Sequence, residues 1–111
     1  LDFTPINTKV ENEKIICTHL SVEYEIPLEE IESYTVITEL PEMTKLRGNG
    51  MDNVLSGTYE IYREGTIETF LNPQSDLFVK VITEEETYYI SGVDDVETQK
   101  IIEEISTYLE K

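Results

Sequence analysis

Polar and apolar residues alternate with a period of two along most of this chain, and a period near 3.6 takes over only at its end. Seven runs rich in Val, Ile, Thr and Tyr read as strands, at about residues 3–10, 14–20, 33–40, 57–63, 66–72, 77–83 and 87–91. Turn chemistry separates them. ENEK at 11–14 is a polar hairpin turn, Gly65 tolerates the positive φ of a tight turn after Glu64, and Asn72-Pro73 opens a longer connection. Pro27 bars a central strand position, so EIPLEEI reads as an interruption with a single helical turn near 28–33.

Alternation also sorts side chains by face. Tyr59 and Ile61 alternate with Thr58, Glu60 and Tyr62, and Leu77, Val79 and Val81 alternate with Phe78, Lys80 and Ile82. Both faces are partly apolar, which predicts a sheet covered on both sides for part of its area. At the end of the chain, DDVETQKIIEEISTYLEK places Val96, Ile101, Ile105, Tyr108 and Leu109 on one helical stripe. Asp94 followed by Glu97 predicts a capping box at its start. The expectation is a mainly β domain closed by one C-terminal α-helix at about 94–110.

With 111 residues, residues 1–111 read as a single domain. The net charge of −16, from 24 Asp plus Glu against 8 Lys plus Arg, repels polyanions, so neither nucleic acid nor direct anionic-lipid binding is expected. The single Cys17 forms no internal disulfide, and without a second Cys or His there is no zinc framework, so no metal or cofactor is expected. No run of 18 or more apolar residues spans a membrane, and the compartment is left open.

The stretch KLRGNGMDNVLSG, 45–57, carries the most suggestive chemistry. Gly48 and Gly50 match two positions of a dinucleotide fingerprint, but Asn53 stands at the third and a strand follows where a helix is required. The stretch therefore reads as a long inter-strand loop, its glycines and Asn49 and Asn53 turning the backbone. Arg47, Gly48, Asn49, Gly50, Asp52 and Asn53 form the candidate ligand or partner loop, with Arg47 the cation able to pair with a carboxylate or phosphate. Cys17 and His19 share one face of a strand but start some 7 Å apart, too far for a nucleophile and base without a third orienting group. No catalytic residue is assigned; the weakest alternative is an enzyme using Asp52 with His19.

Several short motifs follow one another along the chain: IPLEEI at 26–31, a strand ending in Leu40-Pro41, RGNG at 47–50, Gly57 opening the next strand, and YYISGVDD leading into the helix. In this order, over roughly residues 3–110, the chain resembles the bacterial pleckstrin-homology (PH)-like domain family, the branch often attached to N-terminal membrane helices. The resemblance implies a seven-stranded, partly open barrel capped by the helix, with no enzymatic activity. It also implies a membrane tether upstream of Leu1, the visible domain being the soluble part of a bacterial membrane protein. Arg47 stands where the family tends to carry a cation. Phosphoinositide-binding PH domains use a basic cluster around the first hairpin, and here that turn is Glu11-Asn12-Glu13-Lys14.

The function expected is a non-catalytic binding or scaffolding domain acting on a protein partner, a basic one or a second copy of itself. The alternative is a small-ligand or anion sensor using the segment from Arg47 to Asn53.

Overall fold

Three antiparallel strands stand at the start of the chain, β1 (Asn7–Glu11), β2 (Lys14–His19) and β3 (Val22–Pro27), the first two joined by a tight turn. The structure, a computed structural model, describes residues 5–20, 22–51 and 53–110, and of Asn49 and Met51 the backbone only. Asn12 and Glu13 both hold positive φ, 54° and 59°, the conformation that matches a two-residue hairpin to the twist of its strands. Pro27 ends β3, where an edge strand tolerates its missing N–H. A single 3-10 turn (Leu28–Glu30) follows, buries Leu28, and is tied back by Leu28 N–H donating to Glu13 O at 3.0 Å.

The remaining strands are β4 (Ile31–Ile37), β5 (Met43–Met51), β6 (Val54–Ile61), β7 (Gly65–Leu71), β8 (Phe78–Thr83) and β9 (Thr87–Ile90). They form a six-stranded sheet in the order β4-β8-β9-β7-β6-β5, antiparallel throughout except for the parallel pair β7 and β9. β4 and β5 lie at opposite edges of this sheet, yet only residues 38–42 join them. A flat sheet of six strands would hold its edges about 24 Å apart, beyond the roughly 20 Å that so short a connection reaches. The sheet therefore curls. Leu40 and Met43 from this crossing pack on the buried cluster of Tyr59, Ile61, Ile67, Leu71, Phe78 and Tyr89, which fills the concave side.

The opposite face carries the larger core. Phe70, Val79, Val81 and Ile90 of the sheet meet Ile15, Cys17 and Ile26 of the three-stranded sheet and Ile101, Ile102 and Ile105 of the helix, α1 (Asp95–Leu109). Asp94 caps that helix, its side chain accepting from Glu97 N–H at 2.9 Å, as the capping box predicts. The two-sided burial also follows the alternation: Val79 and Val81 face one core while Phe78 faces the other.

Mostly β structure, one C-terminal helix and an arrangement that is not a closed barrel agree with the fold class expected from sequence. The strand division differs. Nine strands stand among the described residues instead of seven, because β3 and β5 form where an interruption and a loop were expected. The expected helix stripe also shifts: Thr98, Ile101, Ile102 and Ile105 are buried, while Val96 is 65% exposed.

Candidate functional site

The register of the curled sheet aligns one row of side chains on its convex face. Arg47 of β5 stands opposite Thr58 of β6, Thr58 opposite Glu68 of β7, and Glu68 beside Tyr88 of β9. The three-stranded sheet covers part of this face, with the Tyr24 ring edge-on to Phe70 at 6.0 Å. It leaves a cleft of about 460 Å³, walled by Val22 and Tyr24 of β3 and by Arg47, Gly48, Ser56, Gly57 and Thr58 of the β5–β6 hairpin. Glu68 and Glu86, the latter from the β8–β9 turn, complete the lining.

Hydroxyl donors fix the central carboxylate. Thr58 Oγ1 donates to Glu68 Oε2 at 2.8 Å and Tyr24 Oη donates to Glu68 Oε1 at 3.1 Å. Burial first, and then the Glu68 charge, push the Tyr24 phenol up to about 12. Burial and then the charges of Glu68 and Glu85 raise the Glu86 carboxyl above the ordinary range. Tyr88 is raised by burial first and then by the charges of Glu86, Glu68 and Glu30.

Arg47 sits at the other end of the row. Lys9, Lys14, Lys80 and Lys100 hold Glu11, Glu25, Glu64 and Glu97, and Arg63 lies over the Tyr62 ring. Lys45 and Arg47, both exposed on β5, make no ion pair among the described residues.

The glycines have a structural reason that differs from the one expected. Gly48 and Gly50 lie in β5, not in a long loop, and Asn49 is paired opposite Ser56. Gly48 faces Gly57 across the ladder, with φ of 125° and 115°. A Cβ on Gly48 would stand 2.1 Å from Ser56 O, and one on Gly57 would stand 2.2 Å from Arg47 O. The pair thus lets two backbones approach where no side chain fits. The ladder runs on to the pair Met51 and Val54, and Asn53 stands in the turn beyond it. Asp52 lies outside the described residues, and Asn53 is half-buried beside it in sequence.

The remaining sequence candidates are buried. Cys17 and His19 share the inward face of β2, at 0% and 4% exposure. Burial pushes the Cys17 thiol up to about 12 against a smaller lowering by a hydrogen bond with Thr8, so it is a core side chain and not a thiolate. No group of three or more His, Cys, Asp or Glu with metal-holding geometry occurs among the described residues. Sequence reasoning overlooked Tyr24 and Glu68. The signal for Glu68 was present: two residues before Phe70 on one strand, it shares that residue's face and so puts a carboxylate on an apolar face.

Two sheets that do not close, one terminal helix and an open cleft between the sheets define a mostly β domain with an open seam. The family model described as Bacterial PH domain matches residues 6–105, and the chain belongs to that family. No curated protein and no solved structure matches it. No helix among the described residues is long and apolar enough to cross a membrane.

Proposed function

We propose that this domain is a non-catalytic binding or scaffolding module whose partner is a protein. The observation that carries the reading is the cleft of about 460 Å³ between β3 and the β5–β6 hairpin, lined by charged and hydroxyl side chains on rigid strands. The cleft lies open beside an edge strand, where main-chain pairing gives a protein partner affinity and neighbouring side chains give it specificity. The net charge of −16 favours a partner with a basic surface and raises its rate of encounter. A metabolite screen by thermal shift tests this reading: no small molecule should stabilise the domain specifically, and a specific micromolar ligand would refute it.

A second reading, a sensor of a small anion, is favoured by Arg47, which lines the cleft and makes no ion pair among the described residues. Arg47→Ala separates the two. Protein binding should survive the substitution, whereas an anion's stabilising effect should vanish.

A further inference from the structure

We propose that the free edge of β3, with the cleft beside it, takes an extended segment rich in Lys or Arg from a partner protein, added as a fourth strand to the three-stranded sheet. This inference rests on the protein-partner reading above and names the surface and the chemistry of the partner.

Backbone geometry comes first. β3 is an edge strand in the order β1-β2-β3. In a two-residue hairpin the closing pair exchanges both hydrogen bonds, and here that pair is His19 and Val22. Alternation from it turns the N–H and C=O of Glu23 and Glu25 toward the open side, where a docking strand would pair with them.

The other sheet edges are blunted or covered. A bulge between Lys45 and Arg47 breaks the edge of β5, and another between Ile31 and Ser33 breaks that of β4. Helix α1 packs against β1. β3 keeps an unbroken register against β2 from His19 and Val22 to Lys14 and Pro27.

Side-chain chemistry selects the partner. Glu23 and Glu25 are exposed on the outer face of β3, while Val22 and Tyr24 line the cleft on the inner one. An added strand would present alternate residues to these two faces. Outward residues would meet Glu23 and Glu25 as cross-strand neighbours, and inward ones would meet the Tyr24 ring, Glu68 and Glu86. At the Pro27 end the acids continue: Glu29, Glu30, Glu32, Glu84 and Glu85 line a second opening of about 430 Å³. Cations are therefore favoured on both faces of the added strand. Arg47, lining the same cleft, repels a cation beside it and so favours basic residues placed against Glu68 and Glu86. A second copy of this chain is a poor occupant, since each copy carries −16 and like charges across a strand pair oppose it.

The test is fluorescence anisotropy with a labelled peptide of about ten residues in a Lys-Lys-Val-Val repeat, which presents Lys to both faces and is long enough to run the length of β3. Binding in roughly the micromolar range, weakening with salt, is expected. The double variant Glu68→Gln/Glu86→Gln and the exposed variant Glu23→Lys should each weaken it about tenfold. N-methylation of the peptide on one edge should abolish it, because strand addition needs those N–H groups. The proposal is overturned if the peptide fails to bind below about 1 mM, if both variants bind as the parent does, or if the N-methylated peptide binds equally well. A partner protein that binds the parent and both variants alike would remove this surface while leaving the protein-partner reading intact.

Discussion

At the scale of single residues, the same side chain can read as chemistry in the sequence and as packing in the fold. Cys17 and Tyr24 are held neutral, the first mainly by burial and the second by burial and the nearby Glu68 charge. Their ordinary values of 9.0 and 10.0 both rise to about 12, so with increasing pH the unfolded chain releases these protons first. Their contribution to stability is therefore complete below about pH 9 and is lost as pH climbs toward 12. Thermal melts across this range should show a steady fall in Tm above pH 9, and Cys17→Ala should flatten its first part. A Tm independent of pH up to 11 would contradict this assignment.

The glycines make a second residue-scale prediction. Gly48→Ala or Gly57→Ala should destabilise the domain by on the order of 2–3 kcal/mol, since each forces a Cβ into an opposing carbonyl at positive φ. Gly50→Ala should cost less than about 1 kcal/mol, because its new methyl meets only side-chain atoms, the nearest being Tyr59 Oη at 3.2 Å. Urea denaturation of the three variants distinguishes this account from a turn that needs every glycine equally. In the sequence, RGNG resembled a phosphate-binding or turn motif because a glycine does not reveal what lies across the ladder from it.

At the scale of elements, the sequence showed most clearly whatever was local. Strands β6 to β9 and the helix were visible as period-two and period-3.6 patterns, and the Asp94 cap as a spacing. Asp94→Ala should cost about 1 kcal/mol in chemical denaturation; an unchanged midpoint would mean that the cap contributes nothing to this helix. Thr98 escaped notice because it is polar. It is buried because its hydroxyl donates to Asp94 O and accepts from Gly92 N–H, both at 2.9 Å. β3 was hidden behind Pro27, which signals a strand's exclusion from a sheet interior yet is compatible with an edge. β5 was hidden because its glycines imitate a loop. The parallel pairing of β7 with β9, with β8 lying between them in sequence, is a long-range choice that no local pattern encodes.

At the scale of the whole molecule, architecture and charge act together. A six-stranded sheet curled about one core, with a small sheet and a helix laid over its convex face, leaves uncovered the seam where Arg47, Glu68 and Glu86 meet Tyr24. The net charge of −16 repels the folded chain from itself, so added salt should raise Tm at first by screening. A Tm that falls steadily with NaCl would show that attractive pairs dominate instead. Membership of the bacterial PH domain family fixes the class, while the seam carries the proposal about what the domain holds. The most direct measurement is a titration of the 15N-labelled domain with the Lys-Val peptide, followed by amide chemical shifts. The account predicts changes concentrated on β3 and on Thr58, Glu68 and Glu86. Changes spread evenly over acidic surface such as Glu103 and Glu104 of the helix, or no changes at all, would contradict it.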